Sequence, residues 1–231
     1  MPVSGSSEEN KSPLVFESGS KPVPLIELFT SQGCSSCPPA DAFLTELLGH
    51  ERLWKDFVPV AWHVDYWDRL GWPDPFASGE NTQRQYRYRQ SERVRSVYTP
   101  GFVIDGAEWR GFFQRQPLPG AGKRAVPDLR ATIADDRIAI ALTGSSLEEK
   151  WTVHAASLGF GLSTAVTRGE NTGRTLRNDF VVLEHRQMDF SGKGTTLPLP
   201  ARKHSEASRF GLAIWISKQG EQAPVQATGG F

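Results

Sequence analysis

Cys34 and Cys37 are the only cysteines in the chain, separated by Ser35 and Ser36. Such a pair can cycle between dithiol and disulfide, hold a metal, or form a structural bond. A zinc site needs two further ligands, typically a second C-x-x-C or two closely spaced histidines. His50, His63, His154, His185 and His204 are scattered, with no two at such a spacing. The flanking residues favour redox chemistry. Leu25, Ile26, Leu28 and Phe29 form an apolar run that ends in a polar turn, and after the cysteines Phe43, Leu44, Leu47 and Leu48 recur at helical spacing between Pro39 and Leu48. The pair thus lies where a strand hands over to a helix. The first-turn N–H groups there have no intrahelical partner, and the dipole is positive. Both features favour a thiolate, which makes Cys34 the expected nucleophile and Cys37 the thiol that resolves a mixed disulfide. Pro38 and Pro39 require the helix to begin near Pro38 or to kink there.

The surrounding elements must position this turn. Phe57 to Val64 reads as a second strand. Strand, helix and strand in this order imply a parallel pair with a right-handed crossover, whose carboxyl ends share one sheet edge. That order brings His63, Asp65 and Tyr66 beside Cys34. The next stretch, Tyr66 to Gly79, is dense in aromatics and prolines, Trp67 and Trp72 among them. It reads either as an ordered insertion or as an apolar rim over the cysteines. Glu80 to Ser96 has helical composition and five arginines, with Glu80 spaced to pair with Arg84 on a solvated face. Ser96 to Gly111 contains a strand, an Asp105-Gly106 turn and a short return strand, a hairpin pattern. Thr99-Pro100 precedes the first of these strands, where an X-Pro bond is readily cis.

With 231 residues and a formal net charge of zero, the composition gives no global sign of nucleic-acid or anionic-membrane binding. No run reaches the length of a membrane span. Residues 1–21 read as a polar, poorly ordered tail without a secretory signal, so the expected location is cytoplasmic as written, or periplasmic if a leader was removed. Pro117 to Lys123 reads as a linker and Val126 to Asp135 as a closing helix. Beyond Asp136 the pattern turns to period two, with about seven short strands that suggest an antiparallel sandwich with a structural or partner-binding role. The expected units are 1–21, 22–136 and 137–231.

A C-x-x-C after a buried strand, followed by a strand, a helix, Thr-Pro and a hairpin, resembles the thioredoxin fold. More narrowly, ELFTSQGCSSCPPAD, HVDYWDRLGW-PDPFAS and SVYTPGFVIDG resemble the bacterial family DUF1223, mostly of undefined function and commonly exported. The expected fold is an α/β thioredoxin-like domain followed by an all-β, sandwich-like C-terminal region. The resemblance implies that Pro100 is a cis proline facing the cysteines, that the Thr99 backbone contacts substrate, and that Glu27 is the nearest match to a buried acid serving Cys37. Gly33 and Ser36 depart from the thioredoxin pattern. The expected activity is thiol–disulfide exchange on a protein or small thiol, without a cofactor, with Thr99, His63, Asp65, Tyr66, Trp67 and Trp72 forming the substrate side. Two alternatives remain open: a Cu(I) site built from Cys34, Cys37 and His63, and an interaction protein with a structural disulfide.

Overall fold

The computed structural model describes residues 12–231. Every residue of β2 (Leu25–Thr30; β1 is Leu14–Glu17) and of β3 (Val58–His63) is buried, and the two strands pair in parallel, Thr30 opposite His63. Strands buried on both faces need cover on both. Helix α1 (Pro38–Glu46) joins them, and α2 (Gly79–Gln90) follows β3. Side chains alternate along a strand. Glu27 and Phe29 of β2 therefore share the α2 face with Trp62, while Ile26, Leu28 and Thr30 share the α1 face with His63. β4 (Gly101–Ile104) and β5 (Ala107–Glu108) close this edge as a hairpin, with Asp105 and Gly106 both at positive φ, the backbone of a type I′ turn.

The C-terminal half completes the same sheet. Among the described residues there are fourteen strands and two α-helices. Hairpin β6 (Asp128–Ala134) and β7 (Arg137–Thr143) is followed by β8 (Lys150–Phe160), β9 (Leu162–Ala165), β10 (Thr175–Asn178), β11 (Val181–Ser191), β12 (Gly194–Pro198), β13 (Arg209–Lys218) and β14 (Pro224–Gly230). One eight-stranded mixed sheet runs β14-β13-β8-β11-β3-β2-β4-β5, and a four-stranded antiparallel sheet runs β1-β6-β7-β12. The small sheet packs on the large one through Leu129, Ile138, Ile140, Trp151, Val153 and Ile214. Its side is the α1 side, because Gly159 of β8 is in register with Val181 and, through it, with Ala61 of β3.

The expectation of an α/β thioredoxin-like domain followed by a separate antiparallel sandwich is therefore overturned. Strands dominate. The N- and C-terminal strands merge where β11 pairs in parallel with β3, Val181 opposite Ala61. The outer edge of β3 presents N–H and C=O groups that cannot stay buried unpaired, and Val181 and Phe180 supply the partners, the Phe180 carbonyl accepting from Ala61 N–H at 2.8 Å. The boundary expected at 136/137 falls inside the tight turn of the β6–β7 hairpin. The closing helix expected over Val126 to Asp135 is strand β6, whose Leu129 and Ala131 alternate into the core. The tail expected over 1–21 contains β1, paired with β6; residues 1–11 lie outside the described residues.

On the α2 face, Glu27 accepts from Arg84 Nε, from Tyr88 Oη and from Trp62 Nε1 (2.9 Å). Arg84 does not pair with Glu80 on a solvated face as expected. Its buried guanidinium lies 4.9 Å from the Trp62 ring centroid and 5.2 Å from that of Trp215. His154 and His185 stack with Trp215, and burial, the largest influence, lowers the pKa of both, that of His185 to about 3. Glu27→Gln leaves the Arg84 charge in the core without a counter-charge. Such a break costs about 3–5 kcal/mol, and urea unfolding of the variant should register a loss of that size. A loss below about 1 kcal/mol would mean that water reaches the pair.

Candidate active site

The chain leaves β2 through Ser31, Gln32 and Gly33 and enters α1 at Cys37, which takes the N-cap position with Pro38 as the first helical residue. Proline is favoured there because its missing N–H has no partner to lose. The two prolines therefore start the helix without kinking it. Gly33 sits in close quarters: a Cβ at this position would come within 3.1 Å of Trp67 Cβ, so the neighbour would have to give by a few tenths of an ångström.

Both cysteines are reduced and covered, Cys34 lying just beneath the exposed Ser35 and Ser36. Cys34 Sγ is 3.3 Å from Ser36 Oγ and 3.8 Å from the Thr99 carbonyl oxygen. Thr99-Pro100 is cis. The hydrogen bond from Cys37, then those from Ser36 and Thr99, outweigh burial and bring the Cys34 thiol down to about 6. Burial and the neighbouring Cys34 charge push Cys37 well up. The two thiols are thus unlike.

The expected substrate residues divide. Trp67 Nε1 donates to Thr99 Oγ1 at 2.8 Å, and Tyr66 lies among Thr99 and both cysteines, its hydroxyl donating to Gln85. Trp72 Nε1 donates to Gln32, behind the turn. The 66–79 segment is an ordered packed insertion, with Asp74 and Phe76 buried. Asp65 turns to α2, where its carboxylate accepts from Thr82 Oγ1 at 2.6 Å.

Glu27 is on the opposite face of β2 from Thr30 and is held by Arg84, so it is not placed to serve Cys37. Asp41 is the carboxylate whose charge Cys37 feels. It follows Cys37 by four residues on α1, it is buried, and burial raises its carboxyl to about 7 against the opposing His63 charge. His63 Nδ1 lies 2.7 Å from Asp74 Oδ2, and its buried Nε2 has no partner. Burial disfavours the imidazolium, but Asp74 more than compensates and raises it, while the same pairing lowers Asp74. Asp74 also accepts from the Gln32 N–H at 2.7 Å, tying this network to the cysteine turn. No group of three or more His, Cys, Asp or Glu side chains among the described residues is arranged to hold a metal ion. Cys34, Cys37 and His63, the residues of the Cu(I) reading, form no such group.

The C-terminal half reaches over the turn. Buried Asn171, between β9 and β10, donates to the carbonyls of Gln32 (2.9 Å) and Cys34 (3.0 Å). The neighbouring Glu170 accepts from Ser35 N–H at 2.9 Å. Gln32 in turn donates to Asn178 and Thr164. The helical offset from Cys37 could have found Asp41. Nothing in the sequence marks Asn171, which is 137 residues from Cys34.

Residues 25–217 match the family described as a protein of unknown function, DUF1223, and the chain belongs to that family. A crystal structure of protein AGR_C_4864 from Agrobacterium tumefaciens is similar at 29% identity, with 90% of this chain and 94% of that one covered and a TM-score of 0.62. HBP35 of Porphyromonas gingivalis shares the fold at 11% identity, with 92% and 76% covered and a TM-score of 0.58. Comparison with curated proteins found no match. No helix among the described residues is long and apolar enough to cross a membrane.

Proposed function

We propose that this protein is a thiol–disulfide oxidoreductase acting on a disulfide-bearing protein or small thiol. The observation that carries the reading is the unlike pair at the start of α1: an acidified Cys34 that receives a hydrogen bond from a buried, protonated Cys37. The Cys34 thiolate attacks a substrate disulfide, forming a mixed disulfide and releasing one substrate thiolate. Cys37 then gives its proton to the Asp41 carboxylate and attacks Cys34 Sγ. The second substrate thiolate leaves, and Cys34 and Cys37 are joined. The substrate gains two electrons and the protein loses them; a partner dithiol restores the reduced pair. The Thr99 carbonyl beside Sγ offers an acceptor to a substrate N–H, and Tyr66 and Trp67 flank it.

The test combines reactivity and potential. Alkylation of Cys34 by iodoacetamide should rise with a midpoint near pH 6, while Cys37 in a Cys34→Ser variant should resist above pH 8.5, the usual thiol range. Equilibration with glutathione buffers should give a potential between about −270 and −120 mV. Equal reactivity of the two thiols, with a potential below about −300 mV, would identify a structural bond.

A further inference from the structure

A second cavity lies at the other end of β2 and α1, and it shares no residue with the cysteine site. It encloses about 690 Å³, within the range of small-molecule sites. Its wall is apolar: Pro24, Ile26, Phe57 and Ile104 from the sheet side, Phe43 from α1 and Leu47 just beyond it. Ile26 and Ile104 are register partners on the α1 face, so they form one floor. The loop over Pro117–Ala121 closes one side, with half-buried Leu118 packed onto the core.

The mouth has the opposite character. Lys21, Arg52 and Lys55 border it, all exposed, against a single acid, Asp56. Arg52 already pairs with Asp56 at 3.4 Å. Lys21 and Lys55 have no ion pair among the described residues, so two positive charges at the rim are uncompensated. His50 also lines the site. Its Nδ1 accepts from the Arg52 N–H at 3.2 Å, which leaves the ring proton on Nε2 as a further donor. An apolar interior with a net positive mouth, three basic side chains against one acid, suits a molecule with an apolar body and an anionic end.

We infer that this cavity binds a monomeric single-chain amphiphile with an anionic head, its alkyl chain between α1 and β2–β4 and its head among Lys21, Lys55 and His50. A neutral chain would lose the rim, and a cationic head would meet uncompensated like charge. The site is independent of the redox reading, since β2 and α1 separate it from the sulfurs.

The test is direct binding of sodium alkanoates from eight to sixteen carbons, each below its micellar concentration, by calorimetric titration of the full chain. Affinity should rise with length by up to about fourfold per methylene until the cavity is filled. A Lys21→Glu, Lys55→Glu double variant carries only exposed changes; it should weaken alkanoate at least tenfold and leave the matching alkanol unchanged. Leu118→Asp should weaken both ligands. Because it alters a surface loop, an unchanged circular dichroism spectrum separates lost binding from lost folding. Absence of saturable binding, equal affinity for an alkyltrimethylammonium of the same length, or binding only to phosphatidylglycerol vesicles would each overturn the inference.

Discussion

A Cys37→Ser variant should accumulate a stoichiometric mixed disulfide through Cys34 when offered a disulfide-bearing substrate, with turnover down at least ~100-fold. The two thiols do separate work in the proposed exchange, and only the second attack releases the substrate half joined to Cys34. Serine keeps the size of the side chain but cannot form the sulfur–sulfur bond. Cys34→Ser should trap nothing, since the remaining thiol is buried with a raised pKa. Non-reducing gels with mass analysis of the adduct distinguish the two variants. An adduct at Cys37, or equal trapping by both, would reverse or remove the assigned roles.

Replacing Asp41 by asparagine should have two large effects of opposite kind. The folded carboxyl titrates near 7 and its unfolded counterpart near 3.9. Between those values the folded protein keeps a proton that the unfolded chain has released, so stability falls as pH rises and levels off above about 7. A shift of about three units in a buried group corresponds to roughly 2–4 kcal/mol. The Asn variant lacks this titration. Urea midpoints of the reduced protein should thus be nearly level for the variant between pH 4 and 7, and at pH 8 the variant should be the more stable form. Its second effect is on kinetics: without a base beside Cys37, breakdown of the mixed disulfide should slow by about 10²–10⁴. Unchanged release with unchanged stability at pH 8 would place Asp41 outside the exchange.

Local signals carried much of the structure and non-local ones little of it. The apolar run before the cysteines, the helix after them and the Asp-Gly hairpin follow from periodicity and turn chemistry within about fifteen residues. The period-two stretches beyond Asp136 are strands, though β10 had no such signal. The parallel contact of Val181 with Ala61 did not show, because strand pairing leaves no mark on either sequence. Missing it turned one continuous sheet into two expected units. Glu27 illustrates a different failure. The resemblance to thioredoxin implied a relay acid, but strand parity puts it on the Arg84 face, opposite to Thr30. Arg84 failed for the same reason: composition marks an arginine-rich helix as solvated, and only the packed fold shows which arginine faces a buried carboxylate.

The Asn171 contact has a consequence for synthesis. The ribosome makes Cys34 and Cys37 long before it makes the residue that holds the Cys34 carbonyl, and β13 and β14, which complete the large sheet, come later still. At ~5–20 residues per second, the interval between the cysteines and Asn171 lasts roughly 7–27 s. Through that time the nascent chain carries two thiols on a turn whose Gln32 and Cys34 carbonyls lack their Asn171 partner. The cysteine turn gains this brace only once the segment between β9 and β10 has been made.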